Sequence, residues 1–332
     1  MKDRDTPLRL VRKLERLYDD PYHYLDVCAG ARDDGEVSYP DYCPIPISAA
    51  REYIAWFLGT YEGSADGAAE LTACYAWRKC PVVYSFDADL AAALTEQADK
   101  MEDLDVLPTD ILLHLPYPCV YVKTPAFTGM IDGFFAWIEF DLARKAPELR
   151  IQPVDAGLET SIPLVLHLIN GSILQCLQDT VAETNRHVEN PKDLETLSVK
   201  GIRPVLIAVQ HLLYLSAQNA DIEDAPAPAK VDRVRRKITP GTPKAGDVLE
   251  KQVGIRVGAA LRKTYHSASN STEAGTGTAK RPHTRRGHWH HYWSGAGDKR
   301  ELVLKWTAPT VIHPEAADND TVVVYPVKQQ GG

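Results

Sequence analysis

Gly133-Phe134-Phe135-Ala136-Trp137-Ile138-Glu139-Phe140 decides the fold class. Successive side chains of an extended chain point to opposite sides. Phe134, Ala136, Ile138 and Phe140 then face one way, and Phe135 and Trp137 the other. A strand apolar on both faces needs cover on both, so a layer must lie on each side of its sheet. Residues 111–122 form a second apolar run, interrupted by Pro116 and Pro118. Proline gives no amide to a ladder, so this run is expected as a bent edge strand or two short strands. Residues 162–168 supply a third strand.

Around this centre the spacing is helical. Leu8, Leu10, Val11, Leu14 and Leu17 recur at helical intervals within residues 6–20. Residues 22–46, rich in Tyr, Asp, Cys and Pro, read as loop. Ser48 is placed to cap a helix whose apolar stripe, Tyr53, Ile54, Trp56, Phe57 and Leu58, has the pattern of core packing. Further helices are expected through Leu71, Cys74 and Trp77, around Ala91 and Leu94, and over 171–183, 192–199 and 203–217. The fold class is therefore α+β, with a helical N-terminal region, a mixed central sheet and a small antiparallel C-terminal sheet.

The expected organisation has three parts. Residues 1–224 form an acidic α+β body, helical over 1–105 and sheet-containing over 106–224. Residues 225–250 are a basic connector that opens on Ala225-Pro226-Ala227-Pro228. Residues 251–328 form a basic, β-rich module with a strand at 252–258, a mobile Ser/Thr/Gly loop at 267–280 and a last strand at 321–327. Charge divides the same way. Residues 228–332 carry 18 Lys or Arg against 9 Asp or Glu, whereas the rest carry 19 against 36, giving a chain of net −8. Such a division suits two partners of opposite sign, or docking of one end on the other. Six scattered cysteines have no disulfide-scaffold spacing and read as reduced thiols. No stretch reads as a secretory signal or a membrane span, so a cytoplasmic protein is expected.

The richest local pattern is Lys280-Arg281-Pro282-His283-Thr284-Arg285-Arg286-Gly287-His288-Trp289-His290-His291-Tyr292-Trp293. On a strand, Trp289 and Trp293 share a face and are expected to pack on Leu302, Leu304 and Trp306 of a returning strand. Arg286, His288, His290, Tyr292 and Lys305 are then left as an exposed strip. With Lys280, Arg281 and Arg285 they are the candidate macromolecule-binding residues, since cations meet phosphate and aromatic rings stack on bases. His288 and His290 share one face and His291 the other, with no Cys pair or acid at ligand spacing, so no metal and no cofactor are expected. Asp132, Glu139, Asp141, His114 and His167 could in principle supply acid–base groups, but no motif joins them and the catalytic residues are left unknown.

The run Arg281-Pro282-His283-Thr284, Arg286-Gly287-His288-Trp289-His290 and Tyr292-Trp293 resembles the second family of type V-A anti-CRISPR proteins, products of phages and mobile elements. Glu301-Leu302-Val303-Leu304-Lys305-Trp306, Ile111-Leu112-Leu113-His114-Leu115-Pro116, Cys119-Val120-Tyr121-Val122 and Gly133-Phe134-Phe135-Ala136 extend the resemblance, with a weaker echo over 212–222. Together they span roughly residues 110–310. The resemblance implies an adaptor that stops the type V-A effector nuclease from being made. Its implied partners are the nuclease's nascent N-terminal peptide, the translating ribosome or its mRNA, and a host ribonuclease, with loss of the message as the outcome. A ribonuclease that cuts the message itself, and an interaction protein with another target, are the alternatives. The chain departs from the family pattern in carrying the basic Pro-His element once, in residues 267–280, and in the tail after Ile312. Target range is therefore open.

Overall fold

The computed structural model describes residues 6–99, 104–127, 131–159, 163–169, 171–186, 202–225, 243–244, 247–270, 283–296 and 300–312. The expected helix at 192–199, the strand at 321–327, most of the connector and residues 271–280 lie outside them.

The fold is α+β. A seven-stranded sheet has the order β5-β4-β3-β2-β1-β7-β6. Its strands are β1 (Val82–Phe86), β2 (Cys119–Lys123), β3 (Ile131–Asp141), β4 (Ala146–Asp155), β5 (Leu164–His167), β6 (Ile222–Asp224) and β7 (Leu249–Val253). β1 runs parallel to both β2 and β7, and the other pairs are antiparallel.

The double apolar face of β3 organises the molecule. Phe134, Ala136 and Ile138 belong to one core, with Val120 and Val122 of β2 and Val82, Tyr84 and Phe86 of β1. Phe135 and Trp137 belong to a second core on the opposite face, with Cys119, Tyr121 and Val83. Each buried Phe, Ile or Val among them contributes about 1.5–3 kcal/mol relative to an exposed one. The second core is closed by α1 (Thr6–Leu17), α2 (Pro21–Asp33), α3 (Ile47–Leu58) and α4 (Ser64–Lys79). The first is closed by α5 (Ala88–Ala98), α6 (Asp110–Leu113), α7 (Ile173–Arg186), α8 (Ile202–Ser216) and α9 (Ile255–Asn270).

Several expectations change. Residues 22–46 are not all loop: Pro21 opens α2 at a position that needs no amide, and Tyr22 and Leu25 are buried. Burial of these two side chains overrides a loop-like composition. Ser48 does not cap α3; the helix starts at Ile47, whose amide donates to Glu139 Oε1 at 2.8 Å. The 111–122 run is no edge strand. Its prolines precede β2, which lies inside the sheet, and residues 110–113 form a helical turn.

The strand expected at 252–258 ends at Val253. Gly254, at φ +81°, turns the chain into α9, which continues through residues 267–270. β1 lies within the part expected to be helical. β7, whose first two residues fall within the expected connector, pairs with it over five residues, Val82↔Leu249 to Phe86↔Val253.

After α9 come two antiparallel ribbons. β8 (His283–Arg285) pairs with β11 (Thr310–Ile312), and β9 (His288–Ser294) pairs with β10 (Glu301–Thr307). Among the described residues, no helix is long and apolar enough to cross a membrane.

Candidate functional site

The β9–β10 register sets Trp289 opposite Trp306, His291 opposite Leu304 and Trp293 opposite Leu302. Facing residues across an antiparallel pair share one side, so these six form the inner face of the ribbon. Trp289, Leu304 and Trp306 are buried. The Trp289 indole donates to Gln210 Oε1 at 2.7 Å, and the Trp306 indole to Gln97 Oε1 at 2.8 Å. The ring of Trp306 meets Tyr214 edge-on at 5.4 Å. Asn219 closes the seam: its amide donates to the Trp306 carbonyl at 2.7 Å and accepts from the Trp306 amide at 2.9 Å. The ribbon is thus fixed to α5, α8 and the turn after α8.

Trp293 corrects the expected core. It is 61% exposed, because it stands near the free end of the ribbon, beyond the reach of α8. Leu302, opposite it, is half-buried.

The outer face carries His288, His290 and Tyr292, paired with Thr307, Lys305 and Val303. His290 and Tyr292 are exposed, and His288 and Lys305 are half-buried. Lys305 Nζ lies 5.3 Å from the centre of the Tyr292 ring. His288 Nε2 and His290 Nε2 are 2.8 Å apart. One ring donates and the other accepts. Arg285 is exposed on β8. Arg286 departs from the strip, turning to Glu96 of α5 at 3.0 Å. Both side chains of that pair are about half exposed, which limits it to roughly 0–1 kcal/mol. Lys280 and Arg281 lie outside the described residues.

The weak acid–base set is divided. Asp132 accepts from the Tyr121 hydroxyl at 3.2 Å, and His114 follows α6. Glu139, Asp141 and His167 do converge, through the register of β3, β4 and β5, on Glu148. Arg150 Nε lies 2.9 Å from Glu139 Oε2, its Nη2 lies 2.9 Å from Glu148 Oε2, and His167 Nδ1 lies 2.9 Å from Glu148 Oε1. Arg144 reaches Asp141 and Glu183, each at 2.7 Å.

Asp141, Glu148 and His167 have the donor types and proximity of a metal group. Two guanidinium groups already answer these carboxylates, however, so the cluster reads as a paired network closing the sheet. Glu139 sits beneath α3 with its pKa raised to about 7, burial outweighing the Arg150 charge and the Ile47 amide.

Sequence reasoning missed Glu148 and Arg150, which only strand register brings to Glu139, and Arg144, which joins Asp141 to Glu183 of α7. It also missed His211, which is fully buried. The Ile207 carbonyl can only accept, so His211 Nδ1 donates to it at 2.7 Å, and Nε2 accepts from the Thr124 hydroxyl at 2.9 Å. Burial lowers the His211 pKa to about 4.

The sequence model of the AcrVA2-like family, described as the anti-CRISPR type V subtype A2 family, matches residues 84–314. No curated protein matches the chain. Among solved structures, one titled "Crystal structure of AcrVA2" is similar with a TM-score of 0.58 and 21% identity, over 93% of this chain and 99% of that one. At that identity the likeness is one of fold.

Proposed function

The chain belongs to the AcrVA2-like family of type V subtype A2 anti-CRISPR proteins, and from that premise we propose how it acts: it recognises the nascent N-terminal peptide of the type V-A effector nuclease during translation and promotes loss of the nuclease mRNA. In this reading it is an adaptor, with the basic C-terminal ribbon meeting RNA or the ribosome and the acidic body free for a protein partner.

One observation carries the division of labour. The outer ribbon face sets Lys305 over the Tyr292 ring, beside exposed His290, on a ribbon held rigidly to the body by Trp289 and Trp306. Cations beside an open aromatic ring suit a phosphate backbone with unpaired bases. The opposite net charges of the two parts support two partners of opposite sign.

The experiment is a pull-down of ribosomes stalled with and without the nuclease's N-terminal peptide exposed. Selective capture of the first set is expected. Equal capture, or none, would remove peptide recognition. A Lys305→Gln, Arg285→Gln variant should bind RNA or ribosomes with a shallower salt dependence, by roughly one unit of log–log slope per lost phosphate contact.

A further inference from the structure

α1 and α3 end side by side and leave large apolar side chains in water. Leu17, Trp56, Phe57, Leu58 and Tyr61 are each between 41% and 69% exposed. They form one surface. The Tyr18 ring meets Phe57 edge-on at 5.2 Å, and Tyr53 lies 5.9 Å from Trp56. The Tyr53 hydroxyl bonds the Asp19 carbonyl, tying α3 to the end of α1. The inward face of α3 is already filled by Ala50, Tyr53, Ile54 and Ala55, so Trp56 is not a displaced core residue. It shares the outward face with Glu52, one turn earlier.

The rim is acidic. Residues 15–20 and 51–62 carry Glu15, Asp19, Asp20, Glu52 and Glu62 against Arg16 and Arg51. Both arginines keep their charge while bonding neutral groups, Arg16 the Arg12 carbonyl at 3.0 Å and Arg51 Ser64 Oγ at 3.3 Å, and Arg51 also lies 5.9 Å from the Tyr61 ring, so the acids outnumber the cations rather than standing alone.

We infer that this surface docks a protein segment that presents large apolar side chains flanked by lysine or arginine. Charge selects the occupant. Carboxylates around the patch repel nucleic-acid phosphate and anionic lipid headgroups. A second copy meeting it across a two-fold axis would set the same acids against one another. An apolar segment carrying cations instead covers the aromatic surface and neutralises its rim. The surface lies outside the matched residues 84–314 and is distinct from the basic ribbon, so the inference does not depend on what the ribbon binds.

The test is a titration of the full-length protein with a labelled 14-residue synthetic peptide, with leucine at helical spacing and lysine elsewhere. A second peptide replaces each leucine with serine. The leucine peptide should bind at least tenfold more tightly than the serine peptide. Trp56→Ser with Leu58→Ser should weaken the leucine peptide at least tenfold. Asp19→Asn with Glu62→Gln should weaken it several-fold and flatten its salt dependence; this second pair keeps the test open if the apolar variant unfolds. Leucine-peptide affinity unchanged by both variants would overturn the proposal. So would a wild-type dimer in sedimentation that Trp56→Ser, Leu58→Ser converts to monomer, because the surface would then be a self-contact.

Discussion

Two tryptophans four residues apart on β9 show how little residue type alone decides. Parity put Trp289 and Trp293 on one face, and the register agrees, but only Trp289 lies over α8. Trp289→Ala should cost about 3–5 kcal/mol in denaturant unfolding, whereas Trp293→Ala should fall within about 0.5 kcal/mol of wild type. Equal losses would mean that Trp293 is packed after all.

Two buried titrating residues make a second prediction. Glu139, with its pKa raised to about 7, favours the folded state when protonated. Its contribution is complete below 4.5 and is lost as pH rises towards 7. His211, with its pKa lowered to about 4, contributes fully above 6.5, and this is lost as pH falls towards 4. Between 4.5 and 6.5 the two slopes oppose each other. Glu139→Gln keeps an acceptor for the Ile47 amide and removes one slope. Its stability should therefore fall more steeply than wild type from pH 6.5 to 4. Parallel profiles would show that Glu139 titrates as it does in the unfolded chain.

Among the elements, β3 was legible because both its faces are apolar. β4 was not. Leu149 and Ile151 face one core, but Glu148, Arg150 and Gln152 alternate with them on a face that is covered as well. Polar residues buried by mutual pairing look like a solvent face in a sequence. Pro147 and Pro153 are tolerated because β5 pairs only with residues 148–151, leaving both prolines outside its ladder.

α9 was masked by a composition that reads as strand, then loop. Its start is held by Asp221, whose carboxylate accepts from the Arg256 and Val257 amides, and Gly258 permits a close approach: a Cβ there would overlap the Asp87 carboxylate, which accepts from the Asp89 amide at the start of α5. Gly258→Ala should push α9 away from that carboxylate and cost about 1–3 kcal/mol in denaturant unfolding. An unchanged midpoint would mean that the two helices separate without loss.

At the scale of the molecule, charge and hydrophobic period disclosed the fold class and an unlike C-terminal part. They did not disclose that residues 249–253 return to the central sheet, since a five-residue strand carries no mark of its partner. β1 is flanked by β2 and β7, so a chain ending at residue 225 would turn β1 into an exposed edge and uncover Val253's neighbours in the core. Such a truncation should lose cooperative unfolding; a sharp transition in residues 1–225 alone would show that the body folds independently.

The candidate ribbon was legible because its residue types are concentrated in one run. The aromatic surface of α1 and α3 was not, because Trp56, Phe57 and Leu58 directly continue the apolar run of the core residues Tyr53 and Ile54 in the sequence, although they face outward. The most direct measurement of the proposed function follows the effector nuclease's mRNA in cells that produce this protein. Two messages are compared, one encoding the native N-terminal peptide and one with compensating frameshifts that change the peptide but barely change the RNA. The native message should fall while the frameshifted message persists. Equal loss of both, or loss of neither, would contradict recognition of the nascent peptide.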